Sequence, residues 1–425
     1  MVVALLVAFA LLVALCVPVA FALGAAGLVG LIIKGDVPLV LIPSRIFGGM
    51  DSFILLAIPF FILAGDLMDT GGISRRLVNL ARVLVGHVRG GLGMVVVVGE
   101  ILFSGISGST TADAAAIGSI MIPAMTRVGY TRERAAAIVS AASGMGILVP
   151  PCIMMVVYGS LTGISIAALF AAGFLPAAVM AVALMGQLYF QARRDNLPSE
   201  PRASWGDLGR ALREAGLALM MPAIIFGGIL GGVFTPTEAA VVAVAYGLVV
   251  GVFVYREVTW RDVGRTLART GLISGSVLLL IGTANIFSWL LTIQQVPQTI
   301  AAWMQSLGQG RALFLFLSVV VFLFLFALLD GLPAMLMVVP IFVPIATRLG
   351  IDALHYGILM TAITGIALFM PPVGVGLYVA ASIAETTVSR AGWVLLPYLV
   401  TMFLVTLVIA YVPWIVHVVP RLLGL

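Results

Sequence analysis

Ile122-Pro-Ala-Met-Thr-Arg-Val-Gly129 occurs a second time, slightly altered, as Val343-Pro-Ile-Ala-Thr-Arg-Leu-Gly350. The proline, threonine, arginine and last glycine of the two segments match at an offset of 221 residues. The same offset relates three further pairs: Gly144 and Gly365, Pro150-Pro151 and Pro371-Pro372, and Pro176 and Pro397. Shared hydrophobicity alone does not explain this register, because prolines and glycines carry it over more than fifty residues. The chain is therefore predicted to be an internal duplication.

The composition indicates a membrane protein. Hydrophobic residues make up 62% of the 425 residues and charged residues only 9%, with a mean hydropathy of +1.22. A soluble domain carries roughly 25% charged residues, so this chain has too few to cover a surface that faces water. A spanning helix needs about 20 apolar residues. The sequence therefore predicts an all-α polytopic membrane protein with about ten transmembrane helices and some shorter pieces.

The net charge of +5 comes from arginine clusters between apolar runs. Four breaks in the hydrophobicity are basic: residues 70–90, 127–134, 191–214 and 256–270. Three others have almost no positive charge: residues 160–165, 232–238 and 294–310. Because positive charge collects in cytoplasmic loops, the first group is predicted to lie in the cytoplasm and the second outside.

The segment Ser104-Gly-Ile-Ser-Gly-Ser-Thr-Thr-Ala-Asp113 is polar and glycine-rich, yet it lies in the middle of an apolar stretch between two basic breaks. Polar backbone at membrane depth must be buried in protein or line a cavity. We therefore predict a re-entrant helical hairpin over about residues 91–127, which turns near residues 107–111. Two ordinary spans joined by a short outside loop remain an alternative, because the basic flanks fit them too.

The orientation of the second copy follows from the spans between the copies. Five are predicted, near residues 131–160, 163–191, 215–232, 238–255 and 271–293. Because five is odd, the second copy is inverted, and its hairpin (about 309–348, with its tip near Asp330-Gly331) enters from outside. The predicted domains are a first inverted repeat over 1–191, a cytoplasmic linker over 192–214 and a second inverted repeat over 215–425. Inverted repeats with broken helices are typical of secondary transporters.

Each copy also contains a helix that a double proline interrupts. Pro150-Pro151 lies within about residues 131–160, and Pro371-Pro372 lies within about residues 351–383. Two prolines remove two N–H donors and push the preceding residue out of helical geometry. The carbonyl groups just upstream then lack helical partners, which is costly in lipid. A monovalent cation bound by these carbonyls and by nearby hydroxyls would satisfy them.

We predict one cation site where each hairpin tip meets a broken helix. The residues of the first are Ser107, Gly108, Ser109, Ser143, Gly144 and Gly146, and those of the second are Asp330, Gly331, Thr364, Gly365 and Met370. The substrate is predicted to bind between them, at Ser109, Thr110, Thr111, Asp113 and Thr364. Alternatively, the small residues only allow helices to pack closely.

Ionisable residues within apolar segments are functional candidates by default. Asp113 and Asp330 lie near the predicted hairpin tips. Glu100 lies in a hairpin arm, where a functional or a structural role is open, and Glu238 follows Thr235 in a pattern that caps helices. An intramembrane enzyme is disfavoured because the sequence has neither HExxH nor GxSxG. A channel is disfavoured because channels need no inverted duplication. No cofactor is expected.

The apolar run from Val2 to Ile33 is long for one span and contains Pro18 near its middle. It starts without a basic region, so we expect a membrane segment rather than a cleaved signal peptide. One broken crossing and two short crossings both fit this run.

Several motifs together resemble one known family. They are Pro18-Val-Ala-Phe-Ala-Leu-Gly24, Asp51-Ser-Phe-Ile-Leu-Leu-Ala-Ile-Pro-Phe-Phe-Ile-Leu-Ala-Gly65, Gly105-Ile-Ser-Gly-Ser-Thr-Thr-Ala-Asp113, Ile122-Pro-Ala-Met125, Pro150-Pro151, Phe234-Thr-Pro-Thr-Glu238 and Pro371-Pro-Val-Gly374. Over nearly its whole length, the chain resembles the large membrane (M) subunit of tripartite ATP-independent periplasmic (TRAP) transporters.

This resemblance implies a Na⁺-coupled elevator mechanism in the inner membrane of a bacterium, with Na⁺ as the coupling ion. It implies two protein partners, a small four-helix membrane (Q) subunit and a periplasmic substrate-binding (P) protein. The cargo would be an organic acid, typically a carboxylate. A stand-alone ion-coupled carboxylate permease of similar architecture is the alternative.

Four residues depart from the family pattern beside the predicted sites. Family members usually have a proline where this chain has Ile147, and a serine where it has Cys152. Met370 stands at a position where threonine is usual, and Gly376 replaces a usual asparagine. Cation binding by backbone carbonyls would tolerate these changes, whereas side-chain ligands would not.

Overall fold

A computed structural model describes residues 1–197, 199–306 and 310–425. These residues form helices and no strand, which confirms the predicted all-α fold for this part of the chain. Residue 198 of the predicted linker and residue 309, the predicted start of the second hairpin, lie outside the described residues.

The described residues up to Arg194 form ten α-helices. They are α1 (Val2–Ala14), α2 (Val19–Lys34), α3 (Leu41–Met50), α4 (Ala57–Thr70), α5 (Ile73–Val85), α6 (Gly91–Ser107), α7 (Thr110–Arg127), α8 (Arg132–Gly146), α9 (Ile153–Thr162) and α10 (Ile166–Arg194). A short 3₁₀-helix, Phe53–Leu56, precedes α4.

The described residues after this point form ten more α-helices. They are α11 (Trp205–Leu230), α12 (Pro236–Leu248), α13 (Trp260–Ile293), α14 (Val296–Ser306), α15 (Gly310–Leu329), α16 (Gly331–Arg348), α17 (Ala353–Ala367), α18 (Val375–Ile383), α19 (Val388–Tyr411) and α20 (Trp414–Leu422). A π-helical segment, Val249–Val254, continues α12.

The duplicated segment forms the same local structure in both copies. Gly129 and Gly350 have φ angles of +100° and +71°, a backbone conformation that glycine adopts without steric cost. The next helices, α8 and α17, begin after Thr131 and Asp352, whose side chains accept hydrogen bonds from backbone N–H groups of the first turn. The repeated sequence therefore ends one helix and starts the next in the same way in both copies.

The N-terminal apolar run forms two separate helices, α1 and α2. A Cβ atom on Gly30, near the end of α2, would lie 2.8 Å from Cδ1 of Leu5, near the start of α1. The two helices therefore run antiparallel in close contact. This packing favours two short crossings over one broken crossing.

Eight helical segments of the described chain are long and apolar enough to cross a membrane, compared with the prediction of about ten. Five further apolar helices have only 10–17 residues, and they include α1, α2 and α6. The difference arises because prolines and glycine-containing turns cut several apolar stretches into pieces. The arms α15 and α16 of the second predicted hairpin are each long enough to count among the eight.

One end of the molecule, which we call the basic end, gathers the arginine clusters. Arg76 pairs with Glu257 at 2.6 Å, Arg82 pairs with Glu200 at 2.7 Å, and Arg134 pairs with Asp195. The pair of helices α6 and α7 has its base here, because Gly90, just before α6, packs on Ala192, and Arg134, soon after α7, pairs with Asp195. Both arms of the first predicted hairpin therefore start from the basic end.

The base of the α15 and α16 pair lies at the opposite end. Phe314 near the start of α15 stacks near Phe342 in α16, with ring centroids 6.1 Å apart. The start of α17 receives a hydrogen bond of 2.6 Å from the Tyr158 hydroxyl of α9 to the Ala353 carbonyl. The 29-residue helix α10, about 43 Å long, separates the two ends. The depth of each pair in a membrane, like the domain boundaries, stays a prediction.

The two interrupted helices cross at the centre of the molecule. A Cβ atom on Gly144 of α8 would lie 2.6 Å from the carbonyl oxygen of Gly365 in α17, and Gly365 in turn meets the carbonyl of Gly144. The offset of 221 relates these residues. Two equivalent residues touch each other in this way at a twofold axis, so the crossing marks the pseudo-symmetry axis of the duplication.

Candidate functional site

A cavity of about 310 Å³ lies where the two hairpin turns approach each other, and we call it the central cavity. Eight predicted site residues line it: Ser107, Gly108, Ser109, Thr110 and Thr111 from the first turn, Asp330 and Gly331 from the second, and Thr364 from α17. The structure therefore brings the two predicted tips together around one space.

The first turn is held between α4 and the break at Pro150-Pro151. Gly108 ends α6 with a φ angle of +64°, and Ser109 then starts α7 in an extended conformation. A Cβ atom on Gly108 would lie 3.1 Å from the Pro151 carbonyl oxygen, and one on Gly65 of α4 would lie 2.8 Å from Cα of Ser107. Glycine is needed at both positions because backbone approaches backbone.

The second turn contains a strained residue. Asp330 has φ +68° and ψ 154°, a region that is essentially restricted to glycine and costs about 1–3 kcal/mol for other residues. Its Oδ1 atom accepts a hydrogen bond of 2.6 Å from the Gly331 N–H. Gly331 packs directly on the methyl group of Thr364. Such strain concentrates at functional sites, which supports Asp330 as a site residue.

A buried network of carboxylates and serines lies behind the first turn, and we call it the Glu100 network. Glu100 and Asp113 are 0% and 1% exposed. Ser143 of α8 donates a hydrogen bond to Glu100, and Ser107 donates one to Asp113. Ser104 donates to Asp113 at 2.6 Å and lies 3.4 Å from Glu100. Because a buried carboxylate is costly without donors, Ser104 and Ser107 hold the two hairpin arms together, and Ser143 joins the hairpin to α8.

Ser104 is the member of this network that the sequence interpretation missed. Glu100, Ser104 and Ser107 occupy positions i, i+4 and i+7 of one helix, and such positions share a face. This spacing was the signal that could have identified Ser104.

Several predicted site residues do not line the central cavity. Asp113, predicted to bind substrate, points into the Glu100 network instead. Gly144 and Gly365 pack on each other, and Gly146 packs on Ser104. Ser143 bonds Glu100, and the carbonyl of Met370 accepts a hydrogen bond of 2.8 Å from the Gly374 N–H. The alternative that small residues serve close helix packing applies to Gly144 and Gly365.

The region after Pro371-Pro372 also explains one departure from the family pattern. The Gly376 N–H donates a hydrogen bond of 3.0 Å to the Leu368 carbonyl. A Cβ atom on Gly376 would lie 2.3 Å from the Phe369 ring, so an asparagine side chain does not fit here without movement of that ring. Ile147, the other departure that reaches the site, lines the central cavity.

Three charged residues of the central cavity were not predicted. Asp66 and Asp69 come from α4, and Arg269 comes from α13. Arg269 contributes the only positive charge among the described lining residues, and its Nε atom lies 3.8 Å from Oδ2 of Asp66. That oxygen is buried and has no hydrogen bond to the described chain. The cavity can therefore offer a cation, hydroxyl groups and carboxylate oxygens to a small polar solute.

Glu238 has the structural role that its sequence pattern suggested. Its side chain accepts a hydrogen bond of 2.8 Å from the Thr235 N–H, while the Thr235 hydroxyl accepts one from the Glu238 N–H. This reciprocal pair is a capping box at the start of α12. Glu238 lies away from the central cavity.

The chain matches one protein family along nearly its whole length. The family is described as "Tripartite ATP-independent periplasmic transporter, DctM component", and the match covers residues 6–415. The C4-dicarboxylate TRAP transporter large permease protein DctM of Pseudomonas aeruginosa is 39% identical over 90% of this chain and 89% of its own length. The sialic acid TRAP transporter large permease protein SiaM of Vibrio cholerae is 36% identical over 95% of each chain.

A solved structure shares the fold. The crystal structure of the YdaH transporter of Alcanivorax borkumensis superposes with a TM-score of 0.61 over 88% of this chain and 87% of that chain, at 17% identity. At that identity, the likeness concerns the fold alone. The family resemblance read from the motifs is confirmed by the family match and by the relatives. The chain therefore belongs to the DctM family, the large permease component of TRAP transporters.

Proposed function

We propose that this protein imports an organic acid in symport with Na⁺, as the membrane-embedded large subunit of a TRAP transporter. The observation that carries the proposal is the central cavity, where both hairpin turns, Thr364 and Arg269 line one space. Substrate sites of secondary transporters lie between inverted repeats at broken helices, and a cavity lined by both hairpin turns supports such a site here.

The charge of the cavity favours a carboxylate as the transported group. Arg269 presents a guanidinium, which binds carboxylates with charge-assisted hydrogen bonds. Ser109, Thr110 and Thr111 also line the cavity, and their hydroxyl groups can bond the rest of an acid. Relatives named for a C4-dicarboxylate and for sialic acid agree with this class of substrate.

The coupling ion would bind at the turns. At the first turn, Ser107, Gly108 and Ser109 lie beside the Pro151 carbonyl, and at the second, Asp330 and Gly331 lie beside Thr364. Hydroxyl, carbonyl and carboxylate oxygens are the donors that a hard monovalent cation prefers. Oδ2 of Asp66, which has no hydrogen bond to the described chain and lies 3.8 Å from Nε of Arg269, adds one more oxygen beside the cavity.

The elevator mechanism and the partners belong to the same proposal. Two helix pairs that approach from opposite ends, and broken helices that cross on a pseudo-symmetry axis, form a unit that could move as a body. A small Q subunit would support this unit in the bacterial inner membrane, and a periplasmic protein would deliver the acid.

Reconstituted uptake tests the proposal. The full chain is placed in proteoliposomes with a small Q subunit and a periplasmic binding protein of the same organism, and uptake of labelled succinate and N-acetylneuraminate is followed. We expect uptake of at least one acid, driven by an inward Na⁺ gradient. Uptake that ignores the imposed gradient would exclude Na⁺ coupling. Uptake that persists without the binding protein would favour the stand-alone permease.

A further inference from the structure

A second cavity, of about 220 Å³, lies toward the end opposite the basic end, and we call it the outer cavity. Its polar lining comes mainly from the last part of α13, and its remaining walls include Leu336 and Pro340 of α16. Arg45 of α3 supplies the positive charge. Nothing in the site described above uses these residues.

The outer cavity is the pseudo-symmetric counterpart of part of the central cavity. Four residues of α4 line the central cavity: Ile62, Gly65, Asp66 and Asp69. The helices that follow α4 and α13, namely α5 and α14, start 223 residues apart, at Ile73 and Val296. Adding 223 to the four numbers gives Asn285, Ser288, Trp289 and Thr292, and all four line the outer cavity. Ala115 of α7 and Leu336 of α16, which the offset of 221 relates, also line one cavity each. The duplication has therefore produced two related cavities.

The two arginines correspond in the same way. Arg45 and Arg269 are 224 residues apart, within three residues of the repeat offset. Arg269 lies beside Asp66, and Arg45 lies over the ring of Trp289 at 4.8 Å. Asp66 and Trp289 are themselves related by the offset of 223. In each cavity, the arginine of one repeat therefore contacts a residue of the other repeat, and these two contact residues are equivalent.

Arg45 is available to an anion. Within the described residues it makes no ion pair, and the aromatic face of Trp289 holds its guanidinium. A cation–π contact leaves the N–H groups in the plane of the guanidinium free to donate. The side chains of Asn285, Ser288 and Thr292 surround the same space.

The two cavities also follow each other along one helix. Arg269, Ile273 and Val277 of α13 line the central cavity, and Ile281 and Asn285 line the outer one. Each of these residues lies about one turn from the next, so consecutive members of the row are neighbours, while the row winds around the helix by about 40° per step. The apolar step from Val277 to Ile281 separates the two linings along this row.

We propose that the outer cavity is a binding site for the carboxylate group of the incoming acid, with Arg45 as its cationic partner. The proposal rests on the proposed function, and it places this site ahead of the central cavity on the path from outside. The side follows from the positive-inside rule, because the outer cavity lies away from the basic end.

Binding of succinate to the full-length chain in lipid nanodiscs tests the proposal. The fluorescence of Trp289 is measured as the difference between the native chain and the W289F variant, because this ring touches Arg45. We expect saturable quenching by succinate, and an affinity about tenfold weaker in R45Q, since a charge-assisted hydrogen bond is lost. R45K keeps the charge, so its affinity for succinate should lie between those of the native chain and R45Q. R311Q is the control, because Arg311 is exposed near the same end and does not line the cavity.

Several outcomes would overturn the proposal. One is an absence of a saturable difference signal, and another is an R45Q affinity equal to that of the native chain. Equal quenching by inorganic phosphate would show a general anion or lipid-headgroup site instead. The test needs neither transport nor Na⁺. A chain that binds succinate here and yet shows no uptake would contradict the proposed function alone, and uptake without this binding would contradict the outer site alone.

Discussion

The regions around Pro150-Pro151 and Pro371-Pro372 have a similar backbone path but different side chains. In both, a hairpin turn lies against the interrupted helix. The first region contains the buried Glu100 network, which bonds hairpin and helix together. At the second, the Thr364 hydroxyl bonds only the Met360 carbonyl of its own helix, at 2.9 Å. Among the described residues, one repeat therefore joins its hairpin to the interrupted helix through a buried side-chain hydrogen bond, whereas the other joins them by packing.

This difference indicates which residues of a duplicated segment stay the same in both copies. Prolines, glycines and helix caps persist because they determine the backbone path. The position related to Glu100 by the offset of 221 is Val321, which is 37% exposed. A carboxylate there would be costly in lipid. The polar residues have therefore diverged where the surroundings of the two repeats differ.

The largest effect is expected where the repeats are most alike. Gly365→Ala would place a Cβ atom against the Gly144 carbonyl, and backbone leaves little room to relax. We expect a loss of about 3 kcal/mol in the free energy of unfolding in detergent. Gly186→Ala in α10 is the control, since a Cβ atom there meets nothing within 4 Å. A G365A variant as stable as the native chain would contradict the close crossing.

The second prediction concerns the Glu100 network. Glu100→Ala leaves Ser143 without its acceptor and opens space in the core, so we expect a loss of about 2 kcal/mol in the free energy of unfolding. Val321→Ala, the matched change in the other repeat, should cost about 0.5 kcal/mol. Equal losses in the two variants, measured by denaturant unfolding, would contradict the difference between the two repeats.

The third prediction concerns the cation of the central cavity. Arg269→Gln should raise the KM for uptake of the acid about tenfold with little change in maximal rate, because a charge-assisted contact is lost. Arg265→Gln, one turn earlier in α13, is the control, because Arg265 pairs with Asp262 and does not line the cavity. Similar KM values for both variants, from initial rates in proteoliposomes, would exclude Arg269 as the substrate's partner.

The smallest expected effect is the difference in stability between variants of Ser143 and Thr364, the two hydroxyl residues that precede the helix breaks. Ser143→Ala removes the donor to Glu100 and should cost about 1 kcal/mol in the free energy of unfolding. Thr364→Val keeps the side-chain shape and removes only a bond within its own helix, so its cost should be below about 0.5 kcal/mol. The reverse order in thermal unfolding would mean that Thr364 has a structural role which its hydrogen bonds do not explain.

The sequence predicted those parts of the fold that local chemistry determines. The turns at Gly108 and Asp330 and the breaks at the double prolines could be located because glycine and proline act on their own backbone. The contact of Arg269 with Asp66 could not be predicted, since it joins α13 to α4 across 203 residues of sequence. The roles of Gly144 and Gly365 were ambiguous for the same reason, because a glycine that packs and a glycine that binds look alike in a sequence.

The crossing at Gly144 and Gly365 has a consequence for the origin of the gene. A half-length ancestor would have assembled from two copies with opposite orientations in the bilayer, and one glycine on the dimer axis would have met its own twin. Every mutation of that codon would have changed both residues of the contact at once. After fusion, the two codons mutate separately, but each glycine still accommodates the carbonyl of the other. We therefore expect selection to act on the two codons as a pair.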